Sequence, residues 1–275
     1  MPYIPGNEDS EKERSDANRI CLDFILNTKV VRGLSDRDFF RRMKVYLASS
    51  ARIQESHSSF KEYAFAKKTP LKCDGQTLAL SLEKAIVERD STHEFPEAAM
   101  PLDKLAALLR AAFGLKENGR WMDGISNANP WPKRAAASGG GLYPLEVYPL
   151  VFRNVEGVVP GLYHFNVKQS CLEALNLNLT LEQISSLIPA LKDWKNAKVA
   201  FLITGIFSRS TIKYGRRGYR FVLIEVGHVQ AHLGLAANAL GLEYCNFGGG
   251  FDREIEEVLG IDGLDEALLG TVIVG

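Results

Sequence analysis

The segment of residues 219–240, YRFVLIEVGHVQAHLGLAANAL, constrains the fold more than any other part of the chain. Most of its residues are apolar and Gly241 follows as a stop signal, so the segment predicts a long helix that is buried on most sides. Gly227 and Gly234 lie inside it, and each costs up to about 1 kcal/mol relative to alanine. Close packing against another helix or a cofactor would account for them, and the core of a dimer would satisfy this demand.

Composition narrows the class of protein. The chain has 275 residues, 46% of them hydrophobic, with 33 basic and 33 acidic side chains. Zero formal net charge and the lack of a Lys/Arg block argue against nucleic acid or an anionic membrane as partner. No apolar run approaches the ~20 residues that a bilayer span needs, so we expect no transmembrane helix. The cysteines form no CxxC pair and the charged N-terminus has no apolar signal segment, so we expect a cytoplasmic protein.

The sequence divides near residue 78. Residues 1–17 are polar and interrupted by prolines, and the next fifty combine scattered apolar residues with many charges, so we expect residues 1–78 to form an N-terminal arm and helical appendage. Residues 79–275 are expected to form the main domain. There, PLDKLAALLRAAFG predicts a helix, and LEVYPLVF, GLYHFNV and AKVAFLITGIF predict strands. These elements indicate an α+β fold whose sheet, antiparallel or mixed, is flanked by helices.

Two triple glycines mark candidate ligand contacts. At AASGGGLYPLEVY (136–148) and just before it, a guanidinium, a hydroxyl and two amides could form a nest for an anion or for the polar edge of a flavin; these belong to Arg134, Ser138, Gly139 and Gly140. A turn before a strand is the alternative. In NFGGGFDREIEEVLG, the amides of Gly249 and Gly250 could donate to a planar ring, and a flexible connector is the alternative.

Two further motifs carry charged side chains. In ERDSTHEF, alternate residues project to one side, and their side chains suit a phosphate and a polar ring edge; they are Arg89, Ser91 and His93. A polar loop at a helix end is the alternative. In STIKYGRRGYRF, neighbouring arginines could lower the pKa of Lys213, next to Tyr214, toward that of a catalytic base. A solvated basic loop is the alternative there.

Other catalytic classes lack support. Glu225, His228 and His232 share one helical face, but a carboxylate di-metal site needs a second such helix and none is visible, so we expect no metal and interpret the histidines as packing residues. No cysteine stands beside a recognisable histidine partner, and no G-x-S-x-G elbow occurs. These observations argue against a nucleophilic triad.

Taken in order, the motifs resemble the FMN-dependent nitroreductase superfamily, and within it the SagB-type group that contains the azoline dehydrogenases of thiazole- and oxazole-forming peptide pathways. The resemblance covers about residues 79–275 and rests on ERDSTHEF, RAAASGGGLYPLEVY, PGLYHFN, KYGRRGYRFVLIEVGH and GGGFDREIEEVLGID. It implies a nitroreductase-like FMN-binding fold with a mixed sheet flanked by helices. It also implies a homodimer with the long helix buried at the interface.

The resemblance implies roles for the candidate residues. Arg89, Ser91 and His93 are expected to bind FMN. Residues 138–140 are expected to reach the flavin across the dimer interface, and Gly249 and Gly250 to lie by its N5 edge. Lys213 and Tyr214 look like the Lys-Tyr pair assigned to catalysis in microcin-type azoline oxidases.

The sequence departs from the group at two points. Ala137 stands where proline is usual, which changes the stiffness of the loop modestly. No basic segment follows TVIVG, whereas many simple nitroreductases hold the phosphate with one, and we expect Arg134 or Arg220 to substitute.

The function expected from these motifs is oxidation of a thiazoline or oxazoline in a ribosomally made peptide to the azole, with FMN as cofactor and a cyclodehydratase as further partner. One alternative is an NAD(P)H-dependent nitroreductase-like enzyme that acts on a small molecule. Another is a non-catalytic subunit of a peptide-modifying complex, with residues 1–78 as a docking module.

Overall fold

The computed structural model describes residues 19–57, 60–72, 78–123 and 132–275. The α-helices of these ranges are α1 (19–27), α2 (Asp36–Leu47), α3 (Ser50–His57), α4 (Leu82–Glu88), α5 (Leu102–Phe113), α6 (Leu181–Leu187), α7 (Phe207–Tyr214), α8 (Arg217–Ala239) and α9 (Asp252–Leu259). The strands are β1 (Lys68–Pro70), β2 (Leu115–Glu117), β3 (Arg120–Met122), β4 (Lys133–Arg134), β5 (Leu145–Val151), β6 (Gly161–Asn166), β7 (Cys171–Asn176), β8 (Val199–Ile206), β9 (Tyr244–Phe247) and β10 (Glu266–Val274). The arm expected at residues 1–17 lies outside the described residues.

A seven-stranded sheet forms the centre of the fold, in the order β1-β7-β6-β5-β8-β10-β9. Each neighbouring pair in it is antiparallel, and one isolated parallel bridge joins Met100 to Val155. Strand β5 is buried along its whole length and β8 along nearly all of it, which explains why both appear in the sequence as nearly continuous apolar runs. The expected α+β class is confirmed, and the three strands predicted from the sequence are β5, β6 and β8.

Helix α8 is buried on one face. Val222, Val226 and Leu233 pack into the core with the sheet, whereas Leu223 and Ile224 are 45% and 54% exposed. Within one chain the helix is therefore not buried on most sides, because only one of its faces meets the sheet. The close packing expected at its glycines is found at one of them: a Cβ on Gly234 would lie 2.6 Å from the Tyr244 ring, whereas one on Gly227 would meet open space.

The N-terminal region and the main domain share the central sheet. Strand β1 pairs antiparallel with β7, with Lys68 opposite Glu173. Just before β1, Lys61 forms an ion pair with Glu266 of β10 and donates to the Tyr148 hydroxyl at 2.6 Å. The boundary near residue 78 stays a prediction, although residues assigned there to the appendage extend the sheet.

A buried polar network supports α7. The Arg209 guanidinium of α7 pairs with Glu146, and His164 lies between Glu146 at 3.1 Å and Glu173 at 2.9 Å. Although burial opposes the charged form, the two carboxylates raise the pKa of His164. Burial likewise opposes ionisation of Glu146, but Arg209 and His164 lower its pKa to about 2. The start of α7 is thus fixed to the sheet by charge-assisted hydrogen bonds.

Candidate active site

Residues 138–141, named here the first glycine loop, meet the end of α7. Gly140 and Gly141 have φ of +68° and +69°, a region that favours glycine. A Cβ on Gly140 would lie 2.5 Å from Lys213 Nζ and 2.5 Å from Tyr214 Oη. Those two atoms are therefore no more than about 5 Å apart. The loop is a turn before a strand, as one of the two interpretations had it, and it also allows the catalytic candidates to approach the backbone closely.

Glu225 of α8 holds the first glycine loop in place. The Gly139 amide donates to Glu225 Oε1 at 2.8 Å, and the Tyr143 amide donates to the Ser138 hydroxyl at 2.8 Å. Glu225 is only 5% exposed, and burial raises its pKa to about 7. The Gly139 amide is therefore engaged by this carboxyl group, so the nest expected to use it is not formed in this arrangement.

The histidines on the same face of α8 contact backbone carbonyls. His228 Nδ1 lies 3.2 Å from the Ala137 carbonyl oxygen, and His232 Nδ1 lies 2.9 Å from that of Ala111. In the described part of the chain, no three His, Cys, Asp or Glu residues are grouped so that they could hold a metal ion.

Lys213 and Tyr214 form the last turn of α7 and are half-buried. Burial lowers the pKa of Lys213 and raises that of Tyr214. Both shifts favour the neutral side chain, because a charged group is costly to remove from water. A neutral amine can accept a proton, and a neutral phenol can donate a hydrogen bond.

The cause of the Lys213 shift differs from the one expected. The sequence suggested that neighbouring arginines lower this pKa, but their guanidiniums point to the N-terminal region. Arg216 donates to Asn27 Oδ1, Arg217 to the Thr28 carbonyl, and Arg220 to the Thr28 hydroxyl and the Ile25 carbonyl. Removal of Lys213 from water is the cause instead.

The two arginines considered for the phosphate have different surroundings. The Nε and one Nη of Arg220 donate hydrogen bonds to residues in and just after α1, as described above. Arg134 is 5% exposed, with the rings of Phe60 and Tyr143 at 5.2 and 5.0 Å from its guanidinium carbon. Burial lowers the pKa of Arg134 to about 10, and its Nε has no hydrogen-bond partner among the described residues. Arg134 is therefore the one with an unused buried donor.

A cavity of about 440 Å³ opens beside the first glycine loop. Its size is within the range of small-ligand sites. The residues with basic side chains in its lining are His57, Lys116, Lys133 and Arg134.

The motif ERDSTHEF lies near the second triple glycine. Arg89 Nη1 donates to the Tyr244 hydroxyl at 2.9 Å, and the Thr92 amide donates to the Tyr244 carbonyl. The His93 ring stacks on Trp194 with centroids 4.5 Å apart, and Trp194 contacts Phe247 edge to face at 5.3 Å. Because β9 ends at Phe247, these contacts place the motif beside residues 248–250, the second glycine loop. Ser91 is exposed nearby, its amide donating to Asp90.

The first glycine loop with Lys213 and Tyr214, and the second glycine loop with the motif ERDSTHEF, lie at different heights along α8. The first glycine loop contacts α8 at Glu225, and the second is reached through Tyr244, which packs against Gly234. Nine residues of helix separate these levels, or about 14 Å at 1.5 Å per residue. In one chain the candidate site residues therefore form two clusters.

Comparison with known proteins identifies the family. The nitroreductase family model matches residues 86–275, and the chain belongs to this family, which confirms the resemblance. A Methanocaldococcus jannaschii protein named as a nitroreductase is 30% identical over 187 residues, 66% of this chain and 85% of that protein. The microcin B17-processing protein McbC of Escherichia coli is 26% identical over 192 residues, 65% of this chain and 67% of that protein.

The fold is also similar to that of a chain in the E. coli microcin synthetase McbBCD complex with truncated pro-MccB17 bound. The TM-score is 0.53 at 21% identity, covering 94% of this chain and 91% of that chain. No helix in the described ranges is both long and apolar enough to cross a bilayer.

Proposed function

We propose that this protein is an FMN-dependent dehydrogenase of the SagB type, which oxidises thiazolines or oxazolines in a peptide to thiazoles or oxazoles. The observation that carries the proposal is the contact of Lys213 and Tyr214 with Gly140, where a base and a hydrogen-bond donor meet a loop without side chains. The similarity to McbC, a protein that processes microcin B17, supports a peptide as substrate.

The residues present fit FMN. The cluster of Arg89, Ser91 and His93 offers donors for a phosphate, and it lies beside a glycine loop in which Gly248 and Gly249 are exposed. These groups would hold the phosphate and the ring system, with Arg134 as a further candidate for the phosphate. FMN, when bound, supplies the hydride acceptor.

Residues of this chain can remove the proton that the reaction releases. Lys213, whose pKa burial lowers, removes the proton from the ring carbon in its neutral form, and a hydride leaves the adjacent carbon. Loss of one proton and one hydride converts the dihydro ring to the aromatic azole. Tyr214, which burial keeps protonated, orients the ring or the amine by a hydrogen bond. Glu225 fixes the first glycine loop against both side chains.

We also propose that the protein is a homodimer. The exposed face of α8 carries an apolar stripe, in which Tyr219, Leu223 and Ile224 are 39%, 45% and 54% exposed. Two α8 helices packed antiparallel along this stripe would cover it. We further propose a cyclodehydratase as partner, which supplies the azoline. We place the reaction in the cytoplasm, because Cys21, Cys171 and Cys245 are unpaired.

Lys213→Ala tests the proposed function. Azole formation should fall by about 10²–10⁴, the usual contribution of a positioned general base. Dimer, flavin content and chemical reduction of the flavin should not change. The measurement is anaerobic bleaching of the flavin by an azoline peptide. The exposed Lys44 of α2 provides the control Lys44→Ala.

Two outcomes would contradict this proposal. Fast bleaching by NADPH alone, unaffected by Lys213→Ala, favours the nitroreductase-like alternative, in which no substrate C–H bond has to be deprotonated. Protein that is colourless and cannot be reconstituted with FMN favours the non-catalytic subunit.

A further inference from the structure

Helix α2 covers the Lys213–Tyr214 pair, although it lies outside the family match, which begins at residue 86. Lys213 Nζ is 5.0 Å from the ring centroid of Tyr46. The Tyr214 ring stacks on Phe39 with centroids 6.3 Å apart and an angle of 21° between the planes. The pair is therefore enclosed by Gly140 on one side and by α2 on another.

The rest of the N-terminal layer, defined as helices α1–α3 (19–57), is attached to the same segment. The three arginines that follow Tyr214 donate hydrogen bonds to residues at the end of α1, as described above. A Cβ on Gly215 would lie 3.0 Å from Arg42 Cδ of α2, and one on Gly141 would lie 3.5 Å from His57 Cε1 of α3. Each helix of the layer thus contacts residues next to the catalytic candidates.

Tyr46 contributes its ring to this enclosure. It is 2% exposed, and its hydroxyl is buried without a hydrogen-bond partner among the described residues. A hydroxyl in this situation lowers stability, because it has lost water and gained no partner. What remains is the aromatic ring, which occupies space next to Lys213 that water would otherwise fill.

We propose that the N-terminal layer completes the catalytic site, and that Tyr46 is a positioning residue that keeps water from Lys213. This inference rests on the proposed role of Lys213 as base. An aromatic face attracts an ammonium group weakly. Water solvates the ammonium more strongly, so exclusion of water favours the neutral amine.

Several titratable groups surround Lys213. His57 approaches from α3, Tyr46 from α2 and Tyr214 from the same helix, while Glu225 of α8 lies close enough to Tyr214 to raise its pKa. Burial first, and then Lys213, lower the pKa of His57.

The test compares Tyr46→Ala with Tyr46→Phe in the full chain loaded with FMN. The first readout is the pH at which Lys213 becomes reactive toward acetic anhydride, followed by mass spectrometry. Tyr46→Ala should raise this midpoint by about one pH unit, because water then reaches the ammonium. Tyr46→Phe keeps the ring and should retain the wild-type midpoint, with an equal or higher melting temperature.

The second readout is the rate of flavin bleaching by an azoline peptide as a function of pH. A base works only when neutral, so Tyr46→Ala should be about tenfold slower than wild type at pH values below the wild-type acylation midpoint and should recover above its own midpoint. A loss that is equal at every pH, with an unchanged acylation midpoint, would assign Tyr46 a structural role only and overturn the proposal. If Tyr46→Ala does not fold, Phe39→Ala should shift the midpoint in the same direction by less, and no shift there overturns the proposal.

The two proposals can fail separately. If azoline peptides do not bleach the wild-type flavin, the proposed function fails, while the acylation midpoints still decide whether Tyr46 controls Lys213. If the peptides do bleach it and the midpoint does not respond to Tyr46→Ala, only the role of the N-terminal layer is lost.

Discussion

Each of the two glycine loops contains three consecutive glycines, but the surroundings of the two loops differ. In the first, Gly140 and Gly141 have positive φ, and a Cβ on Gly140 would collide with two side chains of α7. In the second, no residue has positive φ, and a Cβ on Gly248 would meet open space. The first loop needs glycine for its backbone conformation and for the approach of Lys213. The second loop leaves a surface uncovered, which suits a ligand.

Under the proposed function, the first loop serves catalysis and the second serves cofactor binding. The first loop contacts the proposed base and is held by Glu225. The second lies beside Arg89, a residue that suits a phosphate. Substitutions in the first loop should therefore lower turnover, and substitutions around the second should weaken flavin affinity.

Gly140→Ala should have the largest effect. The left-handed backbone costs an alanine about 1–2 kcal/mol, and the new Cβ displaces Lys213 and Tyr214. Azole formation should fall by about 10², as expected when a catalytic group is misplaced by about 1 Å. Gly141→Ala is a matched control, because φ is also positive there but the Cβ lies 3.5 Å from His57. Both variants should melt at a lower temperature than the wild type. If their turnover were equal, backbone strain alone would explain the loss in Gly140→Ala, and displacement of Lys213 would not be needed.

Arg89→Ala should come next and should affect the cofactor. The loss of a charge-assisted contact of about 1.5–3 kcal/mol should weaken FMN affinity by one to two orders of magnitude. Arg253, an exposed residue of α9, provides the control Arg253→Ala. The measurement is FMN fluorescence during titration of the apoprotein. Unchanged affinity would move the phosphate site to Arg134 or Arg220.

Gly249→Ala and Gly248→Ala should have the smallest effects and test the second loop directly. A Cβ on Gly249 would lie 2.8 Å from the Phe247 ring, which has to move, so FMN affinity should fall by about fivefold, equivalent to about 1 kcal/mol. Gly248→Ala places its methyl group in open space and should change stability by less than about 0.5 kcal/mol. If Gly248→Ala abolished flavin binding, the ring system would have to contact that residue directly.

The sequence predicts most of the elements that position the site. The spacing of leucines between Pro101 and Gly114 predicts α5, and the apolar runs predict β5 and β8. The helical segment of α8 was also correctly placed, because helix periodicity and a terminal glycine are local signals. Strand β1 was missed, since three residues that include Pro70 carry no alternation.

The long-range contacts of the site could not be predicted in this way. Gly139 and Glu225 are 86 positions apart, and nothing local marks either as the other's partner. The cause of the Lys213 pKa shift was misassigned for the same reason: Arg220 is close in sequence, but its guanidinium binds Thr28, whereas the ring that covers Lys213 belongs to Tyr46. Sequence proximity was a poor guide to which groups surround the amine.

Strand β10 lies between β8 and β9 in the sheet and is the last of the three in chain order. Its Glu266 is the ion-pair partner of Lys61, a residue 205 positions earlier. During synthesis, α1–α3 also leave the ribosome long before α7 and α8, which they contact, and such distant contacts have a high entropic cost of loop closure. The nascent N-terminal helices therefore keep exposed apolar surface until α8 has been made. Enclosure of Lys213 is accordingly a late step in folding, and chains interrupted before α8 should be substrates for chaperones.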